Sequence, residues 1–423
     1  MPIAFPVAVA IVLGLLAFVF KYPCLGLGPV LFGSWVFAIF MLAVGLSAGT
    51  MYLMLGFLVL AITVFHFKNP GLLRNVSRQE LAIVTLGILL LISFFYTSAP
   101  TYGTDKALRF FGWIIPLTIA ARLFSSTREH LTKAFSVLSV FASITILFHA
   151  LLYATARDAL TEHDRFGGLG LAWYSAICIA LAVYPIYKGG HWRRLFACVS
   201  ILAGLLVIGA SGSRGPFFGV FLAAGLAFLG RRALIRSALV LVVLVGVGWY
   251  VKGHFLSYDI QKRLADTDVE ATGRPTLWRA GISQFLDHPI RGGGIGSFAV
   301  YAHGHDIAAW PHNTWLEVAG ELGVPGLTCL LVAFAYTVGV VLRVRKLRGP
   351  LVPLSKSYQM LFWIGVLNTL VSLDINRQVG LFASIGIAAG MHSWIRFTAD
   401  AHQPMGIEWT YQQQFSMGGA GVH

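Results

Sequence analysis

The sequence predicts an all-α fold, a polytopic transmembrane helix bundle interrupted by one long polar loop. Three observations predict it. Only 11% of the 423 residues are charged and the mean hydropathy is +0.76, whereas soluble domains carry about 25% charged residues. Apolar stretches long enough to cross a bilayer, roughly 20 residues, recur from end to end. One polar segment, 252–317, is far longer than any other connection.

Taken in order, the candidate spans are approximately 3–20, 29–46, 49–66, 81–97, 110–124, 133–154, 168–187, 195–210, 216–230, 234–251, 318–342, 357–373 and 379–395. No Lys or Arg precedes the first run and no small-residue cleavage site follows it, so it reads as a retained helix. Gly45, Ser47, Ala48 and Gly49 make a soft break near the third span. Alternate loops carry seventeen and six basic residues, and the richer set, which includes Arg128, Lys133, Lys188 and Arg193, is assigned to the cytoplasm. The segment 252–317 and the short loops at 98–108, 155–167, 211–215 and 374–378 then face the other side. The organisation expected is 1–251 N-terminal transmembrane helices, 252–317 the large outer loop, 318–396 C-terminal transmembrane helices and 397–423 a cytoplasmic tail.

The net charge of +14 lies in short clusters between apolar segments and forms no continuous basic face, which excludes a nucleic-acid surface. Cys24, Cys178, Cys198 and Cys329 sit in or beside apolar stretches without CxxC spacing and read as small core residues.

The long loop holds two expected helices. Thr272 can cap one from about Arg274 to Leu286, with Pro275 in its first turn, where a missing N–H costs nothing. Arg274 and Trp278 share a face of it. A second starts near Asn313 and runs to about Leu322, with Gly323 and Pro325 as its stop signal.

Few side chains could carry chemistry. Arg214, in Ser211-Gly-Ser-Arg-Gly-Pro216 between two apolar spans, is either a snorkelling interfacial cation or an anion site. Arg274 adds its charge to the positive end of a helix, a cradle suited to pyrophosphate, or is a solvated surface group. His312 is either structural or a general base, the residue whose pKa suits proton transfer near neutrality. Asp266-Thr-Asp268 resembles a metal-nucleotide motif but reads better as ordinary loop charge. His303-Gly-His305 lacks a third metal ligand at a convincing spacing. Gly292-Gly-Gly-Ile-Gly296 is a phosphate nest or a tight turn after His288-Pro289.

The order Arg274-x-x-x-Trp278, His288-Pro-Ile-x-Gly-Gly-Gly-Ile-Gly-Ser-Phe298, His312-Asn-x-x-Leu-Glu317 and Glu321-Leu-Gly323, with Ser213-Arg-Gly215 upstream, resembles the bacterial O-antigen ligase and polymerase superfamily. The sharp motifs cover roughly 211–216 and 272–327; hydropathy matches across nearly the whole chain. The resemblance implies about twelve helices of a GT-C-like glycosyltransferase in the bacterial inner membrane, with the long loop and active site facing the periplasm. It implies transfer of O-antigen polysaccharide from undecaprenyl pyrophosphate to the lipid A-core oligosaccharide, with no cofactor and no metal. His312 matches the essential histidine, and Arg214 and Arg274 match the arginines assigned to the pyrophosphate. Arg291, Asn313 and Glu317 become supporting candidates, for positioning or for orienting the histidine. An O-antigen polymerase or a protein O-oligosaccharyltransferase of the same superfamily would use the same arginines. A membrane transporter is the alternative of another class, though no internal repeat is visible and the polar residues gather on one side.

Overall fold

The computed structural model describes residues 19–27, 31, 50–70, 76–155, 165–211, 213–228, 273–371 and 374–400, and no strand occurs among them. Helices α1 (Thr50–Lys68) and α2 (Arg78–Phe94) come first, the latter opened by a reciprocal capping box between Ser77 and Glu80. The expected short loop at 98–108 is instead helical. α3 (Pro100–Arg109) starts with Pro100 in its first turn and passes through a wide π-turn at Phe110–Ile114 into α4 (Ile115–Leu123). Pro116 has no N–H to continue the ladder, and the wide turn, in which Ile115 N–H reaches the Phe110 carbonyl, absorbs the gap. Ala99 offers α3 no side-chain cap. Asp306 supplies one from the long loop, accepting the Thr101 and Tyr102 N–H groups at 2.7 and 3.0 Å.

Beyond a turn, α5 (Arg128–Thr155), α6 (Arg165–Lys188) and α7 (His191–Ala210) pack together. α8 (Arg214–Phe228) follows, and after the long loop come α11 (Thr314–Val344), α12 (Val352–Val371) and α13 (Val379–Asp400), once α9 (Arg274–Asp287) and α10 (Phe298–His303) are counted within the loop. α10 has no counterpart in the sequence reading. Among the described residues, Arg128–Leu151, Gly170–Lys188, His191–Ala210 and Thr314–Val344 are long and apolar enough to cross a membrane. The expected spans 3–20, 29–46 and 234–251 lie wholly or largely outside the described residues, as do Asp266-Thr-Asp268, Thr272 and the tail beyond 400. Cys24 and Cys178 are buried as expected. Cys198 is exposed and Cys329 only half-buried, because both fall on outer faces of their helices rather than in the core.

The glycine run after α9 explains how α11 bends. Gly323 has φ 65° and ψ −161°, a break within the helix, and Pro325 cannot donate to the Glu321 carbonyl. Gly294 N–H donates to that carbonyl at 2.9 Å instead. Gly293 N–H serves the Gly320 carbonyl at 2.9 Å, and Val324 N–H turns to the Pro289 carbonyl at 2.8 Å. The freed backbone groups of an apolar helix are thus satisfied by loop backbone, as a low-dielectric setting demands. The run is therefore a packing seam with its N–H groups committed, not an open phosphate nest. A Cβ on Gly292, at φ +70°, would lie 2.3 Å from the Glu321 carbonyl carbon and oxygen.

Gly292→Ala should therefore destabilise the protein by well over the ~1–2 kcal/mol of left-handed strain alone. Gly304→Ala, at φ +75° but with open space around its Cβ, should cost only that strain. Thermal unfolding in detergent of the two variants side by side checks the difference.

Candidate active site

His312 stands two residues before α11 and takes φ 54°, the one positive φ at a non-glycine among the described residues. Such a backbone costs on the order of 1–3 kcal/mol and persists where surrounding structure dictates it. Asn313 dictates it here: as the N-cap of α11 it accepts from Trp315 N–H at 3.0 Å and Leu316 N–H at 3.2 Å, as expected of a helix start. Its amide also donates to the Leu370 carbonyl at 3.4 Å. The helix start is pinned again by Trp315 Nε1 on Thr369 Oγ1 at 3.0 Å and by Gln378 Nε2 on Thr314 Oγ1 at 2.9 Å.

α9 delivers Arg274. Its cap is Gly273, in the left-handed region at φ 63°, rather than a hydroxyl side chain, and Pro275 occupies the first turn. α9 packs closely on α11 at Gly320, where a Cβ would lie 2.7 Å from Gln284 Oε1 of α9. Arg274 is then close enough to His312 to act on its charge. Burial pushes the His312 imidazolium below the ordinary histidine range, Arg274 pushes it further down, and Asp374 pulls against both. His312 Nδ1 is buried with no hydrogen-bond partner. The side chain is accordingly a neutral imidazole at pH 7, the form able to accept a proton.

A second layer surrounds it. The Trp310 and His312 rings lie 5.5 Å apart, and the Arg377 guanidinium sits 5.2 Å over Trp310. Arg377 Nε is 3.6 Å from Asp374 Oδ1, and Tyr102 OH donates to Asp374 Oδ2 at 2.7 Å. Behind them Lys106, 0% exposed, pairs with Glu317 and with Glu321 Oε2 at 2.6 Å. Glu317 Oε2 also accepts the Ile375 N–H at 3.0 Å, and Glu321 accepts from the Gly296 N–H. Burial alone would lower the Lys106 pKa, but Glu317, Glu321 and Asp374 together hold its ammonium above the ordinary lysine range.

The structure thus brings together His312, Arg274, Asn313 and Glu317. Arg291 is exposed, with its guanidinium 5.5 Å over the Tyr96 ring and its carbonyl accepting Tyr96 OH, so its contacts are with the turn that follows α2. Arg214 opens α8, but its side chain lies outside the described residues. The turn itself is near the site, since a Cβ on the neighbouring Gly215 would lie 3.4 Å from Val371 Cγ2, three residues before Asp374. His303 and His305 are exposed, and among the described residues no three His, Cys, Asp or Glu side chains are placed to hold a metal ion.

Sequence reasoning missed Tyr102, Lys106, Trp310, Asp374 and Arg377 as site residues. A signal existed for Lys106. Glu317 and Glu321 are four apart at the head of an apolar helix, and two acids on one buried face require a cation from elsewhere.

Residues 198–331 match the family model described as O-antigen ligase. No curated relative matches the chain at a significant level. The matched segment holds Arg214, α9, the glycine seam, His312 and the first half of α11, and over that segment the chain is similar to the O-antigen ligase family. Lys106, Asp374 and Arg377 lie outside it.

Two outcomes follow from this geometry. Lys106→Met, which leaves Glu317 and Glu321 buried against each other, should destabilise the protein by about 3–5 kcal/mol, and adding Glu317→Gln and Glu321→Gln should recover much of the loss in thermal unfolding. The pH at which His312 becomes reactive to diethyl pyrocarbonate, followed by peptide mass spectrometry, should lie below about 6.5, the unperturbed histidine value. Arg274→Gln should move that midpoint up and Asp374→Asn should move it down; shifts in the same direction would contradict the electrostatic assignment.

Proposed function

We propose that this protein belongs to the O-antigen ligase superfamily and transfers O-antigen polysaccharide from undecaprenyl pyrophosphate to the lipid A-core oligosaccharide. The observation that carries the reading is the pairing of a neutral, half-buried His312 with the cation of Arg274 at two adjoining helix starts. An attacking sugar hydroxyl is a weak nucleophile and needs a base within hydrogen-bond reach, a role worth roughly 10²–10⁴ in rate. His312 is that base. The proton passes from the acceptor hydroxyl to its imidazole as the hydroxyl oxygen bonds to the anomeric carbon. The bond from that carbon to the pyrophosphate oxygen breaks on the opposite face, so the anomeric centre inverts.

The departing pyrophosphate gathers negative charge, and fixed cations aimed at it lower the barrier most. Arg274, at the N-terminus of α9, and Arg214, at the N-terminus of α8, hold it, and the positive ends of both helix dipoles add to their charge. Neither contact calls for a metal or a cofactor. Asn313 and Glu317 keep the start of α11, and hence His312, in register. On this reading the 252–317 segment lies over the site on the periplasmic side of the inner membrane, where lipid-linked polysaccharide and lipid A-core meet.

Complementation tests the proposal. In a strain lacking its own ligase, the wild-type gene should restore O-antigen on lipid A. His312→Ala and Arg274→Ala should leave long polymer on the undecaprenyl carrier, with transfer reduced at least roughly 10²-fold. Rescue of a polymerase deletion alone would replace ligation by polymerisation of the same carrier-linked glycan. Full activity of His312→Ala would remove the general base from the mechanism.

A further inference from the structure

A cavity of about 1150 Å³ lies at the other end of the bundle from His312. Lys106 belongs to the His312 end, and the helix through α3 and α4 carries the chain roughly 25 Å away before Leu123, at 1.5 Å per residue. Arg128, five residues on, is part of the cavity wall. The cavity is walled by the first turns of α5, the last turn of α6, the start of α7 and the turn at 349–351.

Its chemistry is two-sided. Arg128, Lys133, Lys188 and Arg193 line it with Glu129 as the one carboxylate among the lining residues, and all four cations are exposed. Below them the wall turns aliphatic and aromatic through Val140, Phe141 and Ile144, of which Val140 and Ile144 are 40% and 54% exposed. Small-ligand pockets run roughly 300–1,000 Å³, so this one has room for a polar head and the beginning of a chain.

We propose that this cavity binds an anionic phospholipid, its phosphate among the four cations and an acyl chain along Val140, Phe141 and Ile144. A soluble anion alone would leave the apolar wall unused. A zwitterionic lipid would set its own ammonium against four cations, and basic pockets between transmembrane helices select anionic headgroups for this reason. Seated at the junction of α5, α6 and α7, the lipid ties together three helices that approach one another with their cationic ends. The site shares no residue with the His312 cluster and stands whether or not glycosyl transfer is the activity.

The test uses the full chain, purified and exchanged into mixed micelles containing phosphatidylglycerol or phosphatidylcholine with matched acyl chains. Bound lipid is counted by native mass spectrometry. Phosphatidylglycerol should be retained preferentially, and each cation should contribute roughly five-fold to that preference. The variant R128Q/K133Q/K188Q/R193Q should abolish the preference. Because those changes also touch the orientation signal, V140W/I144W serves as the second variant. It keeps every cation and blocks the apolar wall, and since each buried methylene is worth about four-fold, retention should fall by at least an order of magnitude. Equal retention of the two lipids, or undiminished retention by V140W/I144W, would overturn the proposal. Displacement of the lipid by millimolar inorganic phosphate would assign the cations to a free anion and overturn it as well.

Discussion

Lys106 projects from α3, yet the carboxylates that neutralise it, Glu317 and Glu321, stand one turn apart at the head of α11, more than 200 residues later in the chain. An ammonium with no exposure cannot remain charged without such partners, and two carboxylates on one buried face cannot remain there without the ammonium. Each side of the pairing is therefore forced on the other. The pairing fixes where α11 begins, and the residue before that beginning but one is His312. Glu317 also receives the Ile375 N–H and Glu321 the Gly296 N–H. The same ion cluster thus anchors the 374–378 turn and the glycine seam. Four segments remote in sequence meet at it.

Whether such a cluster adds net stability is secondary. Buried ion pairs often break even against apolar side chains of the same volume, and their better attested use is to specify one arrangement over others. Here the alternatives are easy to name. A one-turn slip of α11 against α2, the apolar helix it packs on, would keep apolar side chains against apolar side chains at little cost. It would also strand Lys106 and move the Gly320 and Glu321 carbonyls away from Gly293 and Gly294. Charge and backbone pairing together exclude it. The left-handed φ of His312 and the break at Gly323 bracket the ten residues between them, and both ends are held by hydrogen bonds to other segments.

Much of this was legible in the sequence, and the limits are physical. The apolar period showed the helices that TM length demands, and Pro275, Asn313, Gly323 and Pro325 marked starts and stops because each acts on its own backbone. α3 reads as a loop from sequence because its interior is polar: Thr101, Thr104, Asp105 and Lys106 carry no spanning signal, although Lys106 and Tyr102 are buried. Its N-terminus is capped from a distance by Asp306, which no local pattern reveals. The glycine run could be read as nest or turn until its N–H groups had partners. Asp374 and Arg377 were invisible as site residues for a related reason. Each is unremarkable in a short polar connection, and only the pairing of that connection with the head of α11 gives them a place beside His312. Motifs that act through neighbours in sequence could be read; residues that act through neighbours in space could not.

The arrangement of charges around His312 also follows an order. Three carboxylates lie within the buried cluster, and an imidazole in direct contact with them would hold its proton and be useless as a base. The contacts run otherwise. Asp374 spends its oxygens on Tyr102 OH and on Arg377, and Arg377 covers Trp310, whose ring neighbours the imidazole. Asp374 acts on His312 more weakly than Arg274 does, and in the opposite sense. Burial and Arg274 outweigh Asp374, and the imidazole stays neutral. The cluster that builds the site is in this way kept from holding a proton on the group it positions, because Asp374 is engaged by Tyr102 and Arg377.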